Sequence, residues 1–386
     1  AEIEGTLTLP TSFELAGGEL RTSLVLLNAG QTLGGSGTIK ANIEGASRSV
    51  IEVTGGDGLT VGNGDSYLGF GTEGEIHVSG AESSLFLASK GFARLGGLTT
   101  MADDTVIESA NGVVLGEGDA LVGNGRVLSA FAADFGSVIE AGGDLALGDT
   151  ATYAGFFSDG ELRVGAHDVA LLDKNAAVLG SLTTLAGGRL VTYNGALVEE
   201  GKTVTGHGSV GGDFTNQGEV IGDGPSVPLV FENGYVVNGK GSFDHVQFDG
   251  VYSPGNSPER VEVSNVTYGA SATLEIELGG LEPQTEHDQI VMGGDYVTLG
   301  GTLEVLLIND FAPEAEDVFQ IFDYQLTDGA MPTDEFSSIV LPELAGGLDW
   351  DTGDLYTDGT VSVVPEPGTL ALLALGSLAA VIRRRK

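Results

Sequence analysis

The sequence predicts an all-β protein built as a right-handed parallel β-solenoid, with a C-terminal β cap and a single short hydrophobic C-terminal helix. Three observations predict this fold: a long internal repeat, short strands with alternating apolar residues, and glycine-rich turns between them. The 63 glycines show no strict three-residue period, and 41% of the residues are hydrophobic. This composition fits poorly with both collagen and disorder.

The internal repeat is visible in two pairs of segments. LGGLTT at 95–100 returns as LGSLTT at 179–184, and GEIHV at 74–78 returns as GELRV at 160–164. Related Gly-X-Gly turns stand at 35–37, 123–125 and 206–208, with an echo at 239–241. Two full copies and a partial first copy therefore cover residues 11 to 222. Each copy is long enough for about four coils of roughly 20 residues.

The strands within each copy are short. In ELRV at 161–164, Leu162 and Val164 point to one face and the polar residues to the other. Short strands between glycine turns also occur in sandwiches and barrels, but a long repeat favours coils stacked into a solenoid.

The sequence pattern changes after residue 222. GPSVP at 224–228 interrupts the pattern, and TLEIEL at 273–278 then alternates clearly. We predict glycine-rich solenoid repeats over 1–222, C-terminal solenoid coils over 223–308, an acidic cap and stalk over 309–363, and a separate tail over 364–386.

Three segments of the second part carry a family resemblance. VYSPGNSP at 251–258, HDQIV at 287–291 and LGGTL at 299–303 resemble the closing part of autotransporter-like β-helical passengers, over about residues 240 to 325. Glu259 departs from that pattern, because a glycine is usual there.

The tail has three parts. Prolines at 365 and 367 prevent a helical entry, the apolar run TLALLALGSLAAVI follows at 369–382, and four basic residues end the chain. The run is shorter than the roughly 20 residues of a full bilayer crossing, but preceding residues and snorkelling arginines add length. A basic cluster of this kind stops transfer on the cytoplasmic side. We predict a membrane anchor that ends at Arg383, Arg384, Arg385 and Lys386.

This order of parts resembles the PEP-CTERM sorting signal over the last 23 or so residues. The resemblance implies export by a Gram-negative bacterium that makes extracellular polysaccharide, and handling by an exosortase, a membrane transpeptidase. It also implies that Pro365, Glu366 and Pro367 are read by that enzyme. The chain begins AEIE without a basic start and apolar run, so an export leader is expected to have been removed or to lie upstream.

Charge and cysteine content exclude several functions. The chain has 16 basic and 55 acidic residues, a net charge of −39 that repels nucleic acid phosphates. It has no cysteine, which excludes disulfides, thiolate metal sites and cysteine nucleophiles.

One set of residues suggests catalysis. Gly206-His207-Gly208 with Asp103-Asp104 resembles the motifs of polygalacturonase-like β-helical hydrolases, in which paired carboxylates act as acid and base. The repeat favours a different interpretation, because His207 is equivalent to Ser36 and Asn124 between turn glycines. No Arg-X-Lys element follows this motif. A lyase also needs basic residues close together in its active site, and the basic residues of this chain are few and scattered. We predict no catalytic residue.

No metal or other cofactor is expected. The remaining histidines, His77, His167, His245 and His287, share no metal-ligand spacing. Calcium is a possible ligand of the acidic turns at 55–58, 62–65 and 221–224, but these lack the nonapeptide calcium repeat, and Asp and Asn suit tight turns.

These observations predict an exported, non-catalytic surface or extracellular-matrix protein that is adhesive or structural. Its expected partners are an exosortase, the membrane through the tail, and extracellular polysaccharide. The alternative is a polysaccharide-active hydrolase or lyase on the same fold. A cluster of two or three carboxylates with a cation on one face would distinguish it.

Overall fold

The computed structural model describes residues 1–366, except 57, 152–154 and 256–257. The chain divides into two compact units, Ala1–Val230 and Phe231–Lys386. Both are parallel β-solenoids, with about 13 turns in total, which confirms the predicted fold class. The predicted C-terminal helix at 369–382 lies outside the described residues. The segment boundaries predicted from the sequence stay predictions.

The first unit consists of short strands joined by turns. In chain order they are β1 (Thr6–Thr8), β2 (Ser12–Leu27), β3 (Thr32–Gly45), β4 (Val50–Thr54), β5 (Leu59–Asn63), β6 (Phe70–Thr72), β7 (Glu75–Ser79), β8 (Ser84–Ser89), β9 (Ala93–Arg94), β10 (Leu98–Met101), β11 (Val106–Glu108), β12 (Val113–Leu115), β13 (Ala120–Val127), β14 (Phe131–Ala133), β15 (Val138–Asp149), β16 (Phe156–Ser158), β17 (Glu161–Gly165), β18 (Asp168–Asp173), β19 (Ala177–Val178), β20 (Leu182–Thr192), β21 (Ala196–Val198), β22 (Thr203–Gly211), β23 (Phe214–Asn216), β24 (Glu219–Gly222) and β25 (Leu229–Phe231).

Each coil of the first unit contributes strands to three parallel ladders. The first ladder contains β4, β7 and β10, the second contains β5, β8 and β11, and the third contains β6, β9 and β12. Longer strands such as β13 belong to two ladders. The pairing register of β13 shifts between Gly123 and Gly125, where the strand bends from one ladder into the next.

Inward-pointing residues of successive coils stack on one another. Thr99 pairs in register with Leu121, and this column continues through Ile139 and Leu162 to Thr183. All five side chains are fully buried. Thr99 and Thr183 occupy equivalent places in the two copies of the repeat, four ladder steps apart. The predicted repeat of about four coils is therefore confirmed.

The second unit continues with short strands. They are β26 (Val236–Gly239), β27 (Ser242–Asp244), β28 (Val246–Phe248), β29 (Val251–Pro254), β30 (Arg260–Tyr268), β31 (Thr273–Leu278), β32 (Gln289–Thr298), β33 (Thr302–Leu307), β34 (Val318–Gln320), β35 (Phe322–Leu326), β36 (Ser338–Val340), β37 (Leu348–Asp351) and β38 (Thr360–Pro365). A 3-10 turn at Thr327–Gly329 is the one helical element among the described residues.

Aromatic side chains fill part of the core of the second unit. The ring of Phe248 stacks on those of Phe231, Tyr252 and Tyr268, with centroid separations of 5.6, 4.5 and 5.5 Å. These four side chains are at most 1% exposed. Because neighbouring coils are one strand spacing apart, inward aromatic residues of successive coils meet at stacking distance.

The second unit also contains a three-stranded antiparallel sheet. Its order is β34, β38, β37, so β38 is the central strand. Val361 and Val363 of β38 are 0% and 1% exposed, and Phe319 of β34 is fully buried. This sheet is the predicted C-terminal β cap. Its central strand ends at Pro365, the first residue of the Pro-Glu-Pro sequence.

Candidate functional site

A groove opens on the third ladder of the first unit, where a glycine interrupts a row of outward side chains. Glu44 of β3 pairs with Gly71 of β6, and Gly71 pairs with Arg94 of β9. Because Gly71 has no side chain, the space between Glu44 and Arg94 stays open. The groove has a volume of about 560 Å³, within the range of small-ligand sites.

The walls of this groove combine apolar and polar groups. Leu26 and Leu68 supply apolar surface, and Asn28, Glu44 and Glu73 supply polar side chains. Leu68 is 74% exposed, so its side chain is available to a ligand in the groove. An amphipathic groove of this kind suits a ligand that has both C–H faces and hydroxyl groups.

Arg94 is the cation of the groove, and Asp119 holds it. Both Nε and Nη2 of Arg94 donate to Oδ2 of Asp119 at 3.3 Å. The Asp119 side chain is only 9% exposed and also accepts from the backbone N–H of Gly116 at 3.1 Å. The guanidinium is therefore oriented by the protein, with two of its nitrogens already engaged.

Exposed aromatic rings lie beside the groove, at the corner between the second and third ladders. Tyr67 is 70% exposed and Phe92, one coil further along, is 45% exposed. The Nζ atom of Lys90 lies 4.8 Å from the centre of the Tyr67 ring. The backbone N–H of Lys90 donates to the carbonyl of Ser66 at 2.8 Å, which stacks the two turns. Exposed rings at such a corner are free to pack against a ligand.

The structure separates the residues that suggested catalysis. Asp103 and Asp104 follow β10, whereas His207 lies in β22, five steps further along the first ladder. At a strand spacing of about 4.8 Å, five steps span roughly 24 Å. All three lie at the corner between the first and second ladders, but they do not form one site.

His207 instead bonds to a neighbouring turn. Its Nδ1 lies 2.6 Å from Oδ2 of Asp223, and both side chains are partly exposed. Gly206 and Gly208 have φ of +110° and +133°. A Cβ at Gly206 would stand 1.9 Å from the Leu185 carbonyl oxygen, and one at Gly208 would stand 2.2 Å from that of Gly188. The Gly-His-Gly sequence is therefore a close-packed corner.

The other histidines lie apart from one another. His77 contacts Thr100 and Glu75 at 2.6 and 2.9 Å, and His245 contacts Asp244 at 2.9 Å. His167 lies in a turn, and its backbone packs on Gly188 of the next coil. His287 is fully buried. Within the described ranges, no group of three or more His, Asp or Glu residues could hold a metal ion.

The acidic turns considered for calcium are held by internal hydrogen bonds. Oδ1 of Asn63 accepts from the backbone N–H of Asp65 at 3.1 Å, and Nδ2 of Asn63 donates to Asn42 at 3.2 Å. In the turn at 221–224, Asp223 bonds to His207. Asp57, of the turn at 55–58, lies outside the described residues.

Asp288 is a buried carboxyl group that the sequence did not single out. It is 1% exposed, and its two oxygens accept from the backbone N–H groups of Glu259 and Glu277, each at 2.9 Å. Burial raises the pKa of Asp288 to about 7, against the lowering effect of the two N–H donors. Asp288 thus fixes the turn before β30, at Glu259. Asn256 and Ser257 of that turn lie outside the described residues.

The beginning of the tail is part of the folded cap. Pro365 and Val363 of β38 pair in register with Leu348 and Trp350 of β37. The N–H of Glu366 donates to the carbonyl of Gly347 at 2.9 Å. Pro365 is half-buried and Glu366 is exposed. Pro367 and the basic residues at 383–386 lie outside the described residues, and among the described ones no helix is long and apolar enough to span a membrane.

Residues 363–386 match the PEP-CTERM protein-sorting motif. This motif marks proteins that are exported and sorted by an exosortase, so the chain is exported and associated with the cell envelope, as the tail predicted. No curated protein matches the chain.

Proposed function

We propose that this chain is a non-catalytic cell-surface or extracellular-matrix protein with an adhesive or structural role. One observation supports the proposal above others: the groups that suggested catalysis are spread along a ladder, with Asp103 and His207 five steps apart. Acid and base groups must reach the same bond, which this separation prevents. The sorting motif places such a protein outside the cytoplasm.

The groove at Gly71 is the proposed adhesive contact, and its ligand is a neutral polysaccharide. Leu26 and Leu68 would pack on the C–H faces of a sugar ring, while Asn28 and Glu44 would bond to hydroxyl groups. A neutral glycan is favoured over an acidic one because Glu44 and Glu73 border the groove and the chain carries a net charge of −39.

Filling the groove tests this role. A Cβ at Gly71 would meet only the Cβ of Arg94, at 3.9 Å, so Gly71→Gln adds a side chain without strain. The matched control is Ala132→Gln, on the same outward row three ladder steps away. We expect Gly71→Gln to reduce retention on immobilised neutral polysaccharide about tenfold or more, the loss of one good contact set, and Ala132→Gln to leave it unchanged. Equal retention of both variants would remove the groove from the proposal.

The same groove supports a second candidate function, a polysaccharide-active enzyme. Glu44 and Glu73 line it together with Arg94, which is two carboxylates and a cation on one face. The engagement of Arg94 by Asp119 argues against this role. Sugar release from neutral and acidic polysaccharides by the purified chain separates the candidates. Turnover that is abolished by Glu44→Gln would establish the enzyme and overturn the non-catalytic proposal.

A further inference from the structure

The sorting motif and the cap share residues. The motif begins at residue 363, whereas the central cap strand β38 runs from Thr360 to Pro365. Three residues therefore belong both to a packed sheet and to the segment that a sorting enzyme must handle.

The backbone of this shared segment is engaged on both sides. On one side, the N–H of Val363 donates to Asp317 and its carbonyl accepts from Glu316, each at 2.9 Å. On the other side, β38 pairs with β37 as far as Pro365, and the N–H of Glu366 donates to Gly347 at 2.9 Å. Among the described residues, the main chain around the start of the motif therefore offers few free hydrogen-bonding groups.

A common mode of peptide recognition binds the segment in extended form through main-chain hydrogen bonds, in the manner of an added β-strand. The groups required for that binding are occupied in the folded cap. We propose that the cap masks the start of the sorting motif, residues 363–366, and that the sorting enzyme engages this segment only after the end of β38 separates from β37. The proposal rests on the sorting function of the tail.

The end of β38 is suited to local opening. Pro365 has no N–H to contribute to the sheet, and within residues 1–366 the structure gives Glu366 one hydrogen bond, from its N–H to the carbonyl of Gly347. Two residues earlier, Val363 is 1% exposed and anchors the strand in the cap. Fraying of residues 364–366 therefore leaves the core of the cap intact, as expected for low-energy local unfolding at an element end.

A reversible crosslink tests the masking. Asp349 and Val364 are directly opposed in β37 and β38, and neither side chain is buried. Opposed residues of antiparallel strands have Cα atoms about 4.5–5.5 Å apart, within the range of a disulfide. The chain has no cysteine of its own, so Asp349→Cys with Val364→Cys forms a single defined bond.

The matched control crosslinks the same strand at its other end. Gln320 of β34 is directly opposed to Thr360 of β38, and again neither side chain is buried. Gln320→Cys with Thr360→Cys therefore leaves residues 363–366 free to open. Both pairs are compared oxidised and reduced with the full-length chain, in membranes that contain the sorting enzyme, and processing is followed by loss of the tail mass.

We expect the oxidised 349–364 pair to be processed at least about tenfold more slowly than the same protein after reduction, because local opening is blocked. The oxidised and reduced 320–360 pair should be processed alike. Equal rates for the oxidised and reduced 349–364 pair would overturn the masking. Failure of the unmodified chain to be processed would overturn the sorting function itself.

A second variant covers the case in which the crosslinked cap does not fold. Trp350 pairs with Val363, and its ring lies 5.9 Å from that of Phe319, so Trp350→Ala weakens the hold of β37 on β38. Masking predicts processing several-fold faster than that of the unmodified chain, since opening is made easier. An unchanged or slower rate would contradict it.

Discussion

At the scale of single residues, Asp288 combines deep burial with a structural task. Its carboxyl group accepts hydrogen bonds from the N–H groups of Glu259 and Glu277, and so joins the turn before β30 to strand β31. Its pKa of about 7 exceeds the ordinary value of 3.8. The folded chain therefore keeps a proton on Asp288 over a pH range in which the unfolded chain has lost it.

This difference sets the sign of a pH dependence. Between about pH 4 and pH 7 the folded state binds more protons at Asp288, so its contribution to the unfolding free energy falls as pH rises, by up to about 1.4 kcal/mol per pH unit. We expect Asp288→Asn to remove this slope, because an amide does not titrate there. Urea unfolding of the second-unit transition across this range measures it.

The titratable neighbours of Asp288 are the same in the unmodified protein and in the variant, so comparing the two proteins controls for their effect. Burial lowers the pKa of His287, which makes the chain less stable as pH falls and so opposes the effect of Asp288. Because His287, Glu259 and Glu277 are unchanged in the variant, the difference between the two pH profiles isolates Asp288. Parallel profiles for the two proteins would show that Asp288 is ionised in the folded chain throughout.

At the scale of elements, the aromatic stack contributes strongly to the unfolding free energy of the second unit. Phe248 contacts the rings of Phe231, Phe243, Tyr252 and Tyr268 at centroid distances of 4.5 to 5.6 Å. We expect Phe248→Ala to lower the unfolding free energy of this unit by about 3–5 kcal/mol, because it leaves a cavity bordered by four aromatic side chains. Chemical denaturation followed by tyrosine fluorescence measures the loss.

Tyr193 provides the control for the stack. It is 67% exposed at a corner of the first unit, so Tyr193→Ala should change stability by less than about 0.5 kcal/mol. A loss at Phe248 no larger than the loss at Tyr193 would contradict the packing role of the stack.

The sequence predicted the elements better than the site. Alternation and the repeat specify coils, because both depend on residues that are near in sequence or at a fixed offset. The groove depends instead on Glu44, Gly71 and Arg94, which come from successive coils of 27 and 23 residues. Because coil length varies, only the folded register shows that these three residues are aligned.

The Gly-His-Gly motif contains glycines that the fold itself requires. Gly206 and Gly208 are glycines because backbone oxygens of the previous coil lie within 2.2 Å of where their side chains would begin. Such glycines flank whatever residue occupies the corner, here His207. The corner geometry is sufficient to explain the two glycines of this motif, and the Gly-Ser36-Gly and Gly-Asn124-Gly sequences of the other copies predicted such a corner.

At the scale of the whole molecule, the tail determines where the protein acts. We expect removal of residues 365–386 to abolish retention at the envelope and to release the body into the medium, because the sorting motif is lost while the solenoid is unaffected. Cell fractionation with an antibody to the body measures this. The control is substitution of the groove alone by Gly71→Gln, which should leave the location unchanged, and equal release of full-length and truncated chains would contradict the prediction.

The four-step spacing of Thr99 and Thr183 has a consequence for how such a body changes over generations. Unequal recombination between the two gene copies would join a strand to its own equivalent 84 residues later, and the resulting chain would lose or gain four whole coils. The column that runs from Thr99 to Thr183 would still meet a matching side chain at the new junction. Descendants can therefore differ by four coils at a time in the length of the first-unit solenoid, without any new core having to evolve.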